Sequence, residues 1–417
     1  MNKNLYYFFL LLILSSLINI LLVPQFELPD GTHHLVKVIL IEQNKIEFNS
    51  IFTYLKEIYF LIYQPFHQIS LSFPINDICE NMRLDNLSNC GYGTDYNIDF
   101  KNNANTFSKF GLDLNIYEYY TKFISKHQIS LILFNSFFYF LIFVFFKNQL
   151  LEKEYIKVIF IFLLFPSVIT ITSYVSPNFL STILNIFIFY FFLIRKYYLI
   201  FFLTLISLLF DYQNVTHLFT ITIFLFLYKF NQLFKLNLLF IFIFFIFLFL
   251  IIVQMKPFIY LIISNITNYS SSDLDYLNEN FNFLNLFKSI TSFYLSLYYI
   301  GGSMQYLASI IEYFIFIILL GYYFFYNLII IGLNKIDFYS NKNTIFIYFI
   351  ISNLSFLFIS YLFPTISQGR YYLVILLPVI YFYVNKFISN KNYLFEFIIL
   401  TLFVVNLSHT LKIFFNI

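Results

Sequence analysis

Long apolar runs separated by short polar connections make up most of this chain. A transmembrane helix needs about 20 mostly apolar residues, and eleven stretches approach or reach that length. They are residues 5–23, 129–147, 157–175, 178–194, 198–212, 216–229, 236–254, 307–333, 344–363, 371–385 and 393–413. The pattern predicts an all-α polytopic membrane helix bundle of about eleven transmembrane helices, with residues 1–417 forming one integral membrane domain. The four shortest stretches also fit hairpins that pack inside the bundle without each crossing the bilayer.

Basic residues give these helices a direction. The short connections between the apolar stretches alternate in charge. Those on one side of the membrane contain Arg370 as their single basic residue, whereas those on the other side contain eleven Lys and Arg residues. Because short cytoplasmic loops are enriched in Lys and Arg, the N-terminus is predicted to be cytoplasmic. The residues that decide this are Lys147, Lys153, Lys157, Arg195, Lys196, Lys229, Lys235, Lys335, Lys342, Lys386 and Lys391. The first stretch is predicted to be an anchor, because it is long for a signal peptide and lacks a small-residue cleavage site.

Two long segments then face outward, residues 24–128 and 255–306, together with the turn at 364–370. Residues 24–128 are too many for a simple connector and predict an external subdomain. Its mixed apolar and charged stretches, 46–66 and 107–126, fit amphipathic helices that lie on the membrane. Both cysteines of the chain, Cys79 and Cys90, fall in this segment. They are expected to form a disulfide if the segment faces an oxidising compartment, and are otherwise two unrelated thiols.

Composition narrows the class of protein. The chain is 60% hydrophobic and 11% charged, whereas soluble domains contain about 25% charged residues. A net charge of +3 gives no reason to expect nucleic acid or another polyanion as a partner. We find no cysteine–histidine metal motif and no phosphate-binding glycine loop. The abundance of Phe, Ile, Asn, Lys and Tyr fits an A/T-rich genome and is not evidence of function.

Two polar clusters at predicted membrane boundaries carry the candidate chemistry. Asp30 and His34 follow the first apolar stretch and would share one face of a helix. A carboxylate placed there can accept a proton from an acceptor hydroxyl, and His34 can orient it, assist it or bind a metal. Near the other end of the chain, Gln368, Arg370 and Tyr371 precede an apolar run. The planar fork of an Arg suits a phosphate or pyrophosphate.

Each candidate also has a purely structural interpretation. Asp30 follows Pro29 and fits an N-cap, and Arg370 fits an interfacial anchor whose head reaches water. Asp211 and His217 flank a predicted external turn and are expected to be turn residues. A second predicted turn, Ser173, Tyr174, Ser176 and Asn178, could line a pocket.

These motifs resemble those of a bacterial family of polytopic membrane proteins of unknown function, itself similar to GT-C glycosyltransferases. The family's Pro-Asp-Glu-x-x-His motif resembles residues 29–34, and its Gln-Gly-Arg-Tyr motif matches residues 368–371. The apolar run ending in Leu377-Pro378, the Ser173-Tyr174 turn and Gly301-Gly302 fall where the family also has landmarks. Gly31 departs from the pattern, because the family has a second acid there. If the chemistry needs both carboxylates, this protein is weakened or inactive.

The resemblance implies a sugar transferred from a polyprenyl-phosphate donor to a glycan, lipid or protein acceptor, at the extracytoplasmic face of a bacterial inner membrane. It implies direct displacement with inversion, with Asp30 as base, His34 as its companion, and Arg370, Gln368 and Tyr371 at the donor phosphate. Dependence on a divalent metal stays open.

Three other interpretations compete with this one. An ion-coupled transporter or flippase needs ionisable groups near the bilayer midplane, and inverted repeats are not evident. Glu312 and Glu396 are the few such groups, and neither has a basic partner nearby in sequence. A polysaccharide polymerase would use the same donor and side, and a non-catalytic relative would fit Gly31.

Overall fold

The computed structural model is helical apart from one short strand pair. It describes residues 3–22, 38, 58–71, 116–147, 153–172, 174, 176–210, 214–234, 240–248, 251, 291, 294–298, 300–301, 306–331, 341–362, 373–388 and 391–415. The helices are α1 (Lys3–Leu22), α2 (Ile58–Leu71), α3 (Ile116–Lys147), α4 (Lys153–Leu163), α5 (Pro166–Thr172), α6 (Pro177–Leu193), α7 (Tyr197–Phe210), α8 (Val215–Phe234), α9 (Ile310–Ile331), α10 (Asn341–Leu362), α11 (Leu376–Tyr383) and α12 (Asn392–Phe415). Strand β1 (Ile300–Gly301) pairs antiparallel with β2 (Tyr306–Leu307), and a π-helical turn, Val384–Ile388, continues α11.

Every predicted apolar stretch coincides with helix in the described residues, including residues 240–248 within 236–254. Three helices of the described chain are long and apolar enough to cross a membrane, namely Gln128–Phe146, Ile310–Ile330 and Asn392–Lys412. A fourth span results if α4 and α5 count as one bent helix. Other apolar helices are shorter, and α6, α7 and the α11 segment are among them, as their sequence lengths predict. The fold is therefore that of a helical membrane protein.

The bend between α4 and α5 has a local cause. The two helices meet at 64°, and Pro166 is the first residue of α5. Proline lacks an N–H and its ring clashes with the preceding turn of a continuous helix, so α4 ends and a new helix begins at the position where proline is tolerated. The predicted stretch 157–175 is thus one apolar run but two helices.

Contacts between helices define two ends of the bundle. Phe8 of α1 packs on Phe395 at the start of α12, with ring centroids 4.8 Å apart. At the other ends of these helices, the Thr410 hydroxyl donates to Asn19 Oδ1 over 2.9 Å. Helices α1 and α12 therefore run in the same direction. Helix α3 runs the opposite way, because Gln128 donates to the carbonyl of Ile20 while Phe143 packs on Phe9.

Two parts of the predicted external segments lie inside the bundle. Helix α2 buries Tyr59, Tyr63, His67 and Ser70, which share one face at helical spacing, and it packs against α3. Helix α3 begins at Ile116, so residue 128 is not a helix boundary. The helical residues 294–298, within the predicted segment 255–306, bury Leu297, whose carbonyl accepts from the Ser167 hydroxyl over 2.8 Å.

The turn between α6 and α7 has one residue in a strained conformation. Arg195 has φ 60°, a left-handed geometry that usually belongs to glycine at the end of a helix. The Lys196 N–H donates to the Phe191 carbonyl and the Arg195 N–H to the Phe192 carbonyl. These two bonds form the pattern of a Schellman motif.

Replacing Arg195 by glycine is therefore expected to stabilise the fold. The left-handed conformation costs a non-glycine residue about 1–2 kcal/mol, and the greater unfolded-state entropy of glycine offsets part of that gain. We expect Arg195→Gly to raise the free energy of unfolding by up to about 1 kcal/mol, measured by thermal unfolding in detergent. Arg195→Ala removes the charge alone and should show no such gain. A lower midpoint for Arg195→Gly than for Arg195→Ala would contradict this explanation.

Candidate functional site

The residues that the sequence singled out most strongly lie outside the described part of the chain. They are Asp30, His34, Cys79, Cys90, Gln368, Arg370 and Tyr371. The helices that flank them are described. Helix α1 ends at Leu22, upstream of Asp30, and a helical turn begins at Leu373, shortly after Arg370.

The end of α1, which precedes Asp30, and the start of the α11 segment, which follows Arg370, lie in the same half of the bundle. Asn19, in the last turn of α1, contacts Thr410 near the end of α12. Helix α12 begins at Asn392 beside Ile388, whose carbonyl faces Lys157. Helix α4 runs in the same direction as α12, because Lys157 contacts Asn392 and Asn406 contacts the carbonyl of Leu164 just after α4. The α11 segment, residues 373–388, packs along α4 with its end at Lys157. It therefore runs the opposite way, and its first turn lies about 22 Å along its axis from the start of α12. Leu22 and Leu373 thus belong to the half of the bundle that contains the end of α12.

This end of the bundle contains a network of buried polar side chains. Asn19 donates to the Ile169 carbonyl of α5 over 3.0 Å and accepts from Thr410. Asn406 of α12 donates to the Leu164 carbonyl over 2.8 Å, and Asn135 of α3 donates to the Thr172 carbonyl over 2.7 Å. The Leu164 carbonyl lies at the α4–α5 break, and the Ile169 and Thr172 carbonyls lie in the last turn of α5, where a helix leaves carbonyls without a partner of its own. The amides bind these carbonyls, because a buried carbonyl needs a partner. The network joins four helices at one end.

An ionisable pair lies at the same end. His409 Nε2 is 3.2 Å from Glu312 Oε2, and the two residues belong to α12 and α9. The Glu312 side chain is 24% exposed and that of His409 is 2% exposed. Oε2 also accepts the Ser309 N–H over 2.8 Å, while the Ser309 hydroxyl accepts the Glu312 N–H. This is a capping box, which fixes the carboxylate at the start of α9 beside His409.

Aromatic side chains surround the pair on its protein side. The Tyr298 ring packs on Tyr313 and Phe316, with centroids 5.7 and 5.2 Å away, and Tyr174 is buried in the same cluster. Burial, and then the Glu312 carboxylate, raise the pKa of Tyr298. Its hydroxyl is therefore harder to ionise than that of an exposed tyrosine. The pair is thus shielded by protein on one side and open on the other.

The opposite end of the bundle is cationic. Lys157 Nζ lies 3.2 Å from Asn392 Oδ1. Lys386 Nζ donates to the Tyr322 hydroxyl over 2.7 Å and stands 3.1 Å from the Tyr326 ring centroid. Asn392 and His409 are 17 positions apart on one helix, which corresponds to about 25 Å. Lys157 and Lys386 therefore lie toward the end of the bundle opposite the carboxylate–imidazole pair, whereas Lys412, in the last turn of α12, lies at the same end as the pair.

Other residues considered from sequence have structural roles. His217 was expected to be a turn residue. It is instead a buried residue of α8, and its Nε2 hydrogen-bonds with the Tyr348 hydroxyl over 2.9 Å. Ser176 caps α6 by accepting the Asn178 N–H, and its own N–H donates to the Tyr59 hydroxyl over 3.1 Å. The predicted turn at 173–178 thus ties α6 to α2. Asp211 and Ser173 lie outside the described residues.

The sequence could not have revealed the Glu312–His409 pair. The two residues are separated by 97 positions, and only the capping box Ser309-x-x-Glu312 is a local signal. Within the described ranges, no three His, Cys, Asp or Glu residues come together as metal ligands.

Comparison with protein-family models, curated proteins and solved structures returns no match for this chain. The resemblance drawn above therefore rests on the two short motifs and on the order of the apolar segments.

Proposed function

We propose that this protein is a membrane glycosyltransferase with an eleven-span, GT-C-like bundle, in a bacterial inner membrane. It moves a sugar from a polyprenyl-phosphate donor to a glycan, lipid or protein acceptor at the extracytoplasmic face. The hydroxyl of the acceptor attacks the anomeric carbon, and the lipid phosphate leaves with the bonding electrons. The proton of the attacking hydroxyl passes to a carboxylate.

The observation that carries this proposal is the shared end of α1 and α11. Leu22, at the end of α1 before Asp30, and Leu373, shortly after Arg370, belong to the half of the bundle with the buried polar network. That half is opposite Lys157 and Lys386, and cytoplasmic ends of membrane helices are enriched in such cations. The arrangement supports a site assembled from the two distant motifs on the outer side.

The proposed roles follow from the chemistry of each side chain. Asp30 acts as general base, because a carboxylate within hydrogen-bond reach accepts the hydroxyl proton as the bond forms. His34 orients Asp30. Arg370 neutralises the charge that develops on the departing phosphate, and Gln368 and Tyr371 supply further donors to it. Positioning of donor and acceptor contributes the rest of the rate enhancement.

The direct test is turnover of lipid-linked sugars. Purified protein in nanodiscs is incubated with a panel of polyprenyl-phosphate hexoses and pentoses, and release of polyprenyl phosphate is followed by mass spectrometry. We expect release with one donor class, and faster release when a matching acceptor is added. The size of the product separates a single-sugar transferase from a polymerase. No release from any donor, with acceptor extracts present, would contradict the proposal and favour a non-catalytic relative.

A transporter is the second candidate, because Glu312 has an ionisable partner after all. Coupling ions and protons are bound by such groups near the bilayer midplane. Glu312 is, however, the third residue of α9, and His409 lies near the end of α12. The pair therefore sits at a helix end, where its desolvation is incomplete and where it also closes a capping box. This position favours the transferase.

Glu312→Gln distinguishes the two candidates. Glutamine retains the capping box but neither charges nor accepts a proton. We expect this variant to keep donor turnover, with at most a small loss of thermal stability, because partly exposed ion pairs contribute little. Turnover is measured beside the pH change inside proteoliposomes under an imposed proton gradient. Abolished proton flux together with intact folding would instead identify a coupled transporter.

A further inference from the structure

A cleft opens between α9 and α10, away from the Glu312–His409 pair. Its volume is about 420 Å³, within the range of ligand pockets. One wall is the face Ile317, Gly321 and Phe324 of α9, and a second includes Phe349 and Leu354 of α10. The lining is completed by Phe242, Thr291, Tyr294 and Leu295. None of the described residues that line it is charged. The cleft is therefore large enough to hold a ligand, and its lining fits an apolar ligand.

Among the described residues, three polar side chains line the cleft, Thr291, Tyr294 and Asn353, and Tyr294 and Asn353 are engaged with protein. Tyr294 donates its hydroxyl to Asn353 Oδ1 over 2.8 Å, and Asn353 Nδ2 donates to the Phe349 carbonyl over 2.8 Å. A site for a phosphate or sugar would instead present convergent polar groups to the ligand. The chemistry of this lining consequently fits a hydrocarbon chain without its headgroup.

The cleft is continuous with the lipid-facing surface of α9. Ile317 is 53% exposed, and Phe314, Ile318 and Phe325 of the same helix are 63%, 51% and 61% exposed. In a helix that is apolar and long enough to cross a membrane, such a surface faces lipid tails. The chain that occupies the cleft therefore comes from the lipid that already covers α9.

We propose that the cleft holds one acyl chain of a phospholipid from the surrounding bilayer, inserted between α9 and α10. Phospholipid is the occupant because the lining makes no contact that selects a rarer lipid, and an unselective site fills with the most abundant chain by mass action. The chain completes the packing between two helices that would otherwise leave a void, and voids between packed helices forfeit dispersion contacts. The inference is independent of the proposed transferase activity.

Gly321 allows the cleft to be filled by mutation. A Cβ placed there meets no atom within 4 Å, so a larger side chain enters the space occupied by the lipid. Gly321→Phe is the blocking variant, and Gly321→Leu replaces it if the larger ring prevents folding. Ile318→Phe, three residues away on the lipid-facing surface, is the matched control because it adds a ring without entering the cleft.

The chain contains no tryptophan. The tryptophan fluorescence of a variant with one introduced indole therefore comes from that position only. Phe324→Trp places it in the cleft, and Phe325→Trp places it on the lipid-facing surface. Both are reconstituted in vesicles of phosphatidylcholine with brominated acyl chains, and quenching of fluorescence is measured. We expect both indoles to be quenched. Adding Gly321→Phe should remove most of the quenching from Phe324→Trp and leave that of Phe325→Trp unchanged, whereas Ile318→Phe should change neither.

Two results would overturn the proposal. The first is quenching of Phe324→Trp that Gly321→Phe and Gly321→Leu both leave intact, or that is absent from the start. The second is relief of that quenching by a few mole per cent of unbrominated polyprenyl phosphate, which would assign the cleft to an isoprenoid chain. Donor turnover is also measured on Gly321→Phe. Because the lipid site and the transferase activity are independent proposals, loss of the bound acyl chain and loss of turnover are scored separately.

Discussion

Asp30→Asn is expected to lower the rate of sugar transfer by roughly two to four orders of magnitude, the contribution of a positioned general base. Asparagine has nearly the same size and shape but cannot accept the proton of the acceptor hydroxyl. The loss should appear in kcat, with the KM for the donor little changed, because Asp30 is assigned to the acceptor side of the reaction. Single-turnover consumption of the lipid-linked donor measures it.

This substitution also decides between the two interpretations of Asp30. Asparagine is about as good an N-cap as aspartate, so a residue that only caps a helix would tolerate the change with full activity. Asp99→Asn, in the same predicted external segment, is the matched control and should behave as wild type. Full activity of Asp30→Asn would remove its assignment as the base, and equal losses in both variants would point to folding of the segment.

Arg370→Ala is expected to weaken use of the donor by about 30- to 150-fold in kcat/KM. This corresponds to the loss of about 2–3 kcal/mol from charge-assisted hydrogen bonds to a phosphate. Thermal unfolding should change little by comparison. Inhibition by polyprenyl phosphate that carries no sugar measures the same phosphate contact as a binding constant. In Arg370→Ala, this binding constant should be weaker and should depend less on salt concentration than in the wild type.

Arg370→Lys separates a phosphate contact from an interfacial anchor. Lysine retains the charge and also reaches toward water at a membrane boundary, so it would fully replace an anchor. It lacks the planar fork that binds two phosphate oxygens together, and should therefore recover only part of the donor use. Wild-type kcat/KM in Arg370→Lys would contradict a bidentate role.

Local pattern predicted most of the helices of this chain. Each apolar stretch proposed from sequence coincides with helix in the described residues, and Asn392–Lys412 matches 393–413 almost residue for residue. The α4–α5 break was missed, although Pro166 marks it, because an apolar run continues across the proline. Helix α2 was expected on the membrane surface, since hydropathy does not tell a face buried against protein from one buried in lipid.

The candidate site residues also divide into those that the sequence identified and those that only the structure revealed. Asp30, His34 and Arg370 were identified from residue type and from their position beside apolar stretches, and they stay predictions because they lie outside the described residues. The Glu312–His409 pair came only from the structure. Glu312 looked like an isolated charge, because its partner is 97 positions away and is brought to it by a contact between the start of α9 and the last turns of α12.

The sequence by itself determined that this is a helical membrane protein, since hydrophobic run length is a property of neighbouring residues. Only the tertiary structure decided which ends of α1, α11 and α12 lie together, which buried amides bind the carbonyls at the α4–α5 break and at the end of α5, and where helices part to leave a cleft. Those outcomes depend on how distant apolar surfaces fit one another, and side chains of similar hydropathy are interchangeable in a sequence pattern but not in packing.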